Sequence, residues 1–283
     1  MAGEGGTQGD RIRTFRALHE SGCFMIPNPW DAGSARYLET LGFKALATTS
    51  AGFAFSKGLP DFVSAISRDA VIAHVREIVA ATSVPVNADF QAGYAKEPAG
   101  VAGNVRLCVG TGVSGLSIED ATGDDTAPLF EKQLAVERIR AARSAIDSTG
   151  LPVVLTARCE GWLVDRNMPS RDVIDRLVAY ADAGADCLFA PGARDVAVIK
   201  DIVTAVAPKP VNVIVSSAGT GLTFTRLAGI GVRRISVGSA LARVAWKAFM
   251  RAAQSVSETG TFDSFSGAAS FEELNRLFEM GTK

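Results

Sequence analysis

The sequence predicts an α/β protein of the single-domain (β/α)8 TIM-barrel class, and three observations carry that expectation. Eight short apolar segments recur along the 283 residues, each followed by a polar or glycine-containing loop and then a helical pattern. Three helix ends run through glycine straight into the next strand, at Leu41-Gly42-Phe43, Ala183-Gly184-Ala185 and Ile230-Gly231-Val232. No GxGxxG follows the first strand and no Pro/Ser-rich linker divides the chain, which disfavours the runner-up, a doubly wound open sheet.

Residues 1–8 read as a flexible tail and 9–283 as the barrel domain with a helical C-terminal extension. A helix over 10–21 places Ile12, Phe15 and Leu18 on one face and ends at Gly22. Strands are expected at 24–27, 45–49, 84–88, 115–118, 152–157, 187–190, 211–215 and 234–237. The intervening helices fall at 32–41, 68–82, 98–110, 132–148, 170–183, 193–206, 223–229 and 239–257. Eight such units in about 240 residues is the arithmetic of a closed barrel. The last helix is unusual. Beside Leu241, Val244, Ala245, Ala248 and Phe249 it carries a second apolar row, Trp246, Met250 and Ala253. That arc is far wider than the stripe of an ordinary surface helix. Cover on two sides is expected, from a second subunit in a homo-oligomer (dimer or tetramer), rather than from 261–280 folding back through its Ser270-Phe271-Glu272-Glu273 capping box.

Composition narrows the function classes. A 47% hydrophobic chain with formal net charge −1 has ample core and no electrostatic footprint for nucleic acid or an anionic membrane. Cys23, Cys108, Cys159 and Cys187 form no CxxC pair, which argues against a zinc site or a disulfide framework and fits a reducing compartment. The amino terminus does not read as a signal peptide, and no apolar run reaches the roughly 18 residues of a membrane span. The expectation is a soluble cytoplasmic protein.

In a barrel the chemistry sits at the carboxyl ends of the strands. The segment Val84-Pro85-Val86-Asn87-Ala88-Asp89 is a buried strand that turns polar at its end, with Asn87 and Asp89 on one face. The next strand ends in Glu119-Asp120. Buried carboxylates are costly unless they bind something. Two neighbouring strands ending in acid suggest an oxygen-rich site for a hard divalent cation, with Asp89 and Glu119 as ligands and Asn87 as a neutral oxygen donor. Helix capping is the plain alternative. Arg158 ends an apolar strand, so it either pairs with Glu160 or presents its planar fork to a substrate carboxylate. Ser50-Ala51-Gly52 form either a carboxylate-binding nest or a simple turn. The small residues of Ser216–Gly221 and Gly238-Ser239 are a weak phosphate signal. No lysine stands at a strand end, and His19 and His74 lie on helices, so Schiff-base chemistry, a Ser-His-Asp triad and a histidine metal site are disfavoured. Cys159 points away from Arg158 and reads as packing.

Taken together and in order, Pro27-Asn28-Pro29-Trp30-Asp31-Ala32, Thr49-Ser50-Ala51-Gly52, Gly58-Leu59-Pro60-Asp61, Asn87-Ala88-Asp89, Ile118-Glu119-Asp120 and Thr156-Ala157-Arg158 resemble the isocitrate lyase/phosphoenolpyruvate mutase superfamily. The resemblance spans residues 24–278. It implies a barrel enzyme using Mg²⁺, or Mn²⁺ in its place, that makes or breaks a C–C or P–C bond beside a 2-oxo acid or its enolate. It also implies roles: Ser50, Ala51 and Gly52 on the substrate carboxylate, Arg158 on the substrate's oxygen end, and Asp61, Asp89 and Glu119 at the metal. Two departures bear on substrate. The family often has Asp where this chain has Asn87. The lyase branch carries a Lys-Lys/Arg-Cys-Gly-His motif on the loop after the Glu-Asp pair, whereas residues 121–131 hold no cysteine, histidine or lysine. The leading expectation is therefore a Mg²⁺-dependent lyase or decarboxylase of a small 2-oxo dicarboxylate of the oxaloacetate type. Its rivals are P–C bond chemistry on phosphonopyruvate, (methyl)isocitrate cleavage, a non-catalytic carboxylate-binding barrel and a metal-free phosphate-binding barrel.

Overall fold

The computed structural model describes residues 6–62 and 65–279. Residues 1–5 of the expected tail, and the last four residues of the chain, lie outside them. Eight parallel strands alternate with helices: β1 (Phe24–Ile26), β2 (Leu46–Ala47), β3 (Val86–Asp89), β4 (Gly115–Glu119), β5 (Val154–Arg158), β6 (Cys187–Phe189), β7 (Val211–Ile214) and β8 (Arg234–Ser236). The ladder runs β1-β8-β7-β6-β5-β4-β3-β2. One bond, from the Ala47 amide to the Pro27 carbonyl at 3.0 Å, closes β2 onto the end of β1 and completes the barrel.

The helices are α1 (Gln8–Glu20), α2 (Ala32–Thr40), α3 (Ser50–Ser56), α4 (Arg68–Ala81), α5 (Pro98–Val109), α6 (Lys132–Asp147), α7 (Gly161–Val164), α8 (Ser170–Asp182), α9 (Val196–Ala205), α10 (Phe224–Gly229), α11 (Ala240–Thr259) and α12 (Phe271–Glu279). Local chemistry explains many of their starts. Thr7 and Asp10 form a capping box before α1, and Asp31 and Ser34 one before α2. Thr7 and Gln8 thus belong to the start of α1 rather than to a tail. Thr49, Ser67, Asp195 and Thr223 cap α3, α4, α9 and α10 through side-chain oxygens. Gly42, Gly184 and Gly231 have φ of +82°, +101° and +94°, the left-handed turn that lets a helix reverse into a strand.

Polarity is layered along the barrel axis. At the amino end, Phe15 of α1 is fully buried and plugs the barrel against Phe24, Ala45, Ala47, Val154 and Cys187. Above this plug lies a polar layer containing Asn87, Ser117, Thr156, Asn212 and Arg234, all buried. Arg234 donates to Asn212 Oδ1 at 2.9 Å and Thr156 Oγ1 at 3.0 Å, and its Nη1 lies 3.3 Å from His19 Nε2. Burial pushes the His19 imidazole down to about 3, leaving it neutral and able to accept from Arg234. With the amino end closed, the carboxyl end is the open one.

Part of the C-terminal extension folds back on the last helix, where the 3-10 turn Asp263–Gly267 packs against α11. α12 packs beside α2, with the Phe278 ring 3.4 Å from where a Cβ on Gly33 would stand. It does not cover the α11 row. Ala242 is the buried residue of α11, while Trp246, Phe249 and Met250 remain 40%, 61% and 55% exposed.

Candidate functional site

Strand register builds the site. Glu119 and Arg158 are paired residues at the ends of β4 and β5, and β3 ends one strand over with Asp89 opposite Ser117. Arg158 Nη1 stands 2.8 Å from Glu119 Oε1 and 3.5 Å from Asp89 Oδ1. Its Nε and Nη2 bind Glu160. Both sequence readings of Arg158 therefore bear on one position: it pairs with Glu160 and it lines the open cavity at the barrel mouth. Asp89 is fixed by its neighbours, since its amide donates to Thr48 Oγ1 at 2.9 Å and its Oδ2 accepts from the Ser50 amide at 2.8 Å.

That cavity encloses about 260 Å³. At roughly 30 Å³ per water, this is the space of eight or nine water molecules, suited to a small metabolite. Ser50, Ala51, Asp61, Asp89 and Arg158 all line it. Asp61, which spacing alone leaves as a loop acid, is brought to the same mouth. Ser50–Gly52 are the first turn of α3 rather than an open nest. The Ser50 amide is engaged by Asp89 and the Gly52 amide by Thr49 Oγ1. Gly52 serves packing: a Cβ there would meet Thr49 Cγ2 at 2.6 Å and Trp30 Cβ at 3.0 Å. Asn87 lies one layer down, as its two-residue separation from Asp89 requires. It lines an adjoining cavity of about 50 Å³ in the polar layer, which shares Asp89 and Arg158 with the mouth, and its Oδ1 has no hydrogen-bond partner.

The electrostatics are those of a crowded acidic pocket. Burial raises the Glu119 carboxyl well above the usual range, Arg158 opposes that, and Glu160 and Asp89 reinforce it. Burial raises Glu160 too, again with Arg158 opposing. Asp61 is raised by desolvation and by Asp89. Glu119 Oε1 is close enough to Arg158 for an ion pair but is not aligned as a hydrogen bond, so this buried oxygen has no hydrogen-bond partner. A bound cation would satisfy it. Among the described residues no three acidic, histidine or cysteine side chains form a ready cage. Mg²⁺ does not need one, because it takes one or two carboxylates and keeps several waters. The hard-oxygen pair Asp89 and Glu119 fits that requirement.

Supporting residues were less legible. Asp120 does not face the mouth; it accepts from the Glu160 amide at 2.7 Å and from the Tyr180 hydroxyl at 2.6 Å, anchoring the acid that holds Arg158. The β3 loop contains two left-handed non-glycine residues, Gln91 (φ 45°) and Tyr94 (φ 55°). Arg138 of α6, only 1% exposed, clamps this loop by donating to the carbonyls of Ala92, Ala95 and Lys96. The Tyr94 hydroxyl is buried without a partner, and burial followed by the charges of Asp89 and Glu119 raises its pKa. Arg138 looked like any helix-surface arginine in sequence; Tyr94 lay in the signature stretch, but nothing marked its hydroxyl.

Comparison with known proteins bears on this arrangement. A family model described as phosphoenolpyruvate phosphomutase matches residues 15–257. An uncharacterized protein of Mycobacterium tuberculosis is 33% identical over 246 residues, covering 87% of this chain and 89% of its own. The 2-methylisocitrate lyase of Escherichia coli is 29% identical over 75% of this chain and 72% of its own length. The oxaloacetate decarboxylase of Rhodopseudomonas palustris is 29% identical over 92% and 89%. A crystal structure from Burkholderia cenocepacia, described as a lyase/mutase, superposes with a TM-score of 0.91 at 48% identity and covers 96% of both chains.

Proposed function

The chain belongs to the phosphoenolpyruvate phosphomutase family, within the isocitrate lyase/phosphoenolpyruvate mutase superfamily of lyases and mutases, and on that premise we propose that it is a Mg²⁺-dependent carbon–carbon lyase or decarboxylase of a small 2-oxo or 2-hydroxy dicarboxylate such as oxaloacetate. One observation carries the reading. Asp89 and Arg158 line a cavity sized for a small metabolite, and Arg158 joins them to Glu119, a buried acid with an unsatisfied carboxylate oxygen.

Asp89 and Glu119 would hold Mg²⁺ or Mn²⁺, with Asp61 acting through water. When bound, the ion supplies fixed positive charge against which negative charge developing on the 2-oxo oxygen is stabilised. The chain's own residues do the rest. Arg158, held in place by Glu160, presents its exposed edge to a substrate oxygen. The first turn of α3 lies against the substrate's acid group, and Arg138 clamps the β3 loop that carries Tyr94, whose hydroxyl feels the charges of Asp89 and Glu119. Loss of CO2 leaves its electron pair on the carbon next to the 2-oxo carbonyl and needs no protein base to begin. That suits a 121–131 loop without cysteine, histidine or lysine, and favours decarboxylation over isocitrate-type cleavage. The description of the matching family favours a second reading, P–C bond chemistry on phosphonopyruvate.

Direct assay of oxaloacetate, isocitrate, methylisocitrate, dimethylmalate and phosphonopyruvate, with Mg²⁺ and with chelator, tests the proposal. Turnover of oxaloacetate in Mg²⁺ alone is expected. Turnover of phosphonopyruvate but no C–C substrate would favour the second reading; chelator-resistant turnover would end the metal reading. The exposed α11 row supports a homo-oligomer assembled through that helix.

A further inference from the structure

The mouth cavity has a second wall that the family motifs do not account for. It is formed by the β6–α9 loop, with Arg194, and by Ser216 and Ser217 after β7. The inner wall is poor at attracting an anion. Asp61 and Asp89 line it, and Glu119 and Glu160 pair with the Arg158 guanidinium behind it, so four carboxyl groups surround one cation. An incoming dianion therefore gains from positive charge supplied elsewhere.

Arg194 is the other cationic side chain on this cavity, and among the described residues it has no hydrogen bond or ion pair. Its neighbour Asp195 is committed to capping α9, accepting from the Ala197 amide at 2.8 Å. The backbone beneath Arg194 is fixed although its side chain is exposed. Pro191 and Ala193 are buried, and Gly192, at φ +94°, passes so close to Trp162 that a Cβ would stand 2.8 Å from that residue's own. Across the cavity, Arg243 donates to the Ser216 carbonyl at 2.6 Å and holds that loop in place.

We propose that Arg194 is the specificity-determining residue for the substrate's second carboxylate, selecting diacids over 2-oxo monoacids. This rests on the lyase reading above and adds a residue to it. The 2-oxo acid head sits at the Asp89–Glu119 end, and the distal carboxylate meets the Arg194 fork, with the hydroxyls of Ser216 and Ser217 nearby. The planar guanidinium suits a carboxylate bound through both oxygens. Beyond Arg194, a neighbouring cavity of about 410 Å³ shares Leu163, Gly192, Ala193 and Arg194 with the mouth and is walled by Trp162 and Met168. The arginine thus stands where the two cavities meet.

Two probes measured by calorimetry in Mg²⁺ test the assignment. Oxalate mimics the head alone; 3,3-difluorooxaloacetate carries the head and the distal carboxylate. Arg194→Gln should weaken difluorooxaloacetate roughly 10- to 100-fold, the range for a lost charge-assisted hydrogen bond, and change oxalate by less than about twofold. Arg194→Lys, which keeps the charge without the fork, should recover part of the loss. Retained oxalate binding also shows that the variant folds. Equal weakening of both probes, or of neither, overturns the role of Arg194 alone. A wild type that binds neither probe overturns the lyase reading and this inference with it.

Discussion

Replacing Arg158 with methionine removes the one cation from a set of buried carboxylates, and the consequence is calculable before any substrate is known. Nη1 lies 2.8 Å from Glu119 and 3.5 Å from Asp89, and the Arg158 side chain is 18% exposed. At an effective dielectric of about 20, the nearer contact alone corresponds to about 6 kcal/mol of attraction. Desolvation of the guanidinium offsets part of this, so removing the partner should cost on the order of 3–5 kcal/mol. The cost should depend on pH in a definite direction. Burial already raises Glu119 and Glu160 above the usual range, and without Arg158 both rise further. Between the unfolded pKa, about 4.3, and the raised folded value, the folded variant binds more protons than the unfolded chain, so the variant gains stability as pH falls. Urea unfolding at about pH 8 and about pH 5.5 should show the larger deficit at the higher pH. Millimolar Mg²⁺ should recover more stability in the variant than in wild type, because binding to the folded state alone stabilises it. A deficit below about 1 kcal/mol, with no response to pH or Mg²⁺, would refute the electrostatic account of the site.

Thiol-blocking reagents should leave activity intact, because Cys159 is fully buried behind Arg158 and burial raises its pKa; inactivation prevented by Cys159→Ser would contradict this. Sedimentation should show dimers or tetramers at micromolar concentration, and Trp246→Glu, on the exposed α11 row, should shift them to smaller species; a wild-type monomer would remove the oligomer proposal. Acid should weaken the fold through His74, which stacks on Phe53 at 3.8 Å and is pushed down to about 4 by burial first and Lys57 second. It stays neutral when folded but takes a proton below about pH 6.5 when unfolded, so its contribution should fall by about 2 kcal/mol from about pH 7 to about pH 5. His74→Gln should remove that part of the slope, and an unchanged slope would show that His74 titrates normally.

What the sequence displayed and what it concealed divide along physical lines. The eight strands stand within two residues of their expected positions at every boundary, since short apolar runs between glycine-capped helices are local signals. β2 is the most shortened, to Leu46–Ala47, where Thr48 Oγ1 takes the Asp89 amide and Thr49 caps α3. The first turn of α3 was ambiguous because Ser50-Ala51-Gly52 has the composition of a turn, although the Thr49 cap was visible. Asp89 and Glu119 were legible as costly acids at strand ends, but their convergence on Arg158 depends on the β4–β5 register, which no local pattern encodes. Arg138 and Arg234 were hidden for the same reason. Each is an arginine at a position that periodicity assigns to no special environment, and tertiary packing alone buries it. Arg194 was equally silent, being one exposed charge after a strand until the barrel sets it on the same cavity as Arg158.

The central claim is that Asp89 and Glu119 form a metal site serving a 2-oxo acid, and anomalous diffraction from crystals soaked in Mn²⁺ and oxalate tests it most directly. The account predicts one strong peak bridging the two carboxylates at roughly 2.0–2.6 Å, the range of hard-cation oxygen ligands, with oxalate in contact with the same ion. A map with no peak between Asp89 and Glu119, or with oxalate bound elsewhere, would contradict it.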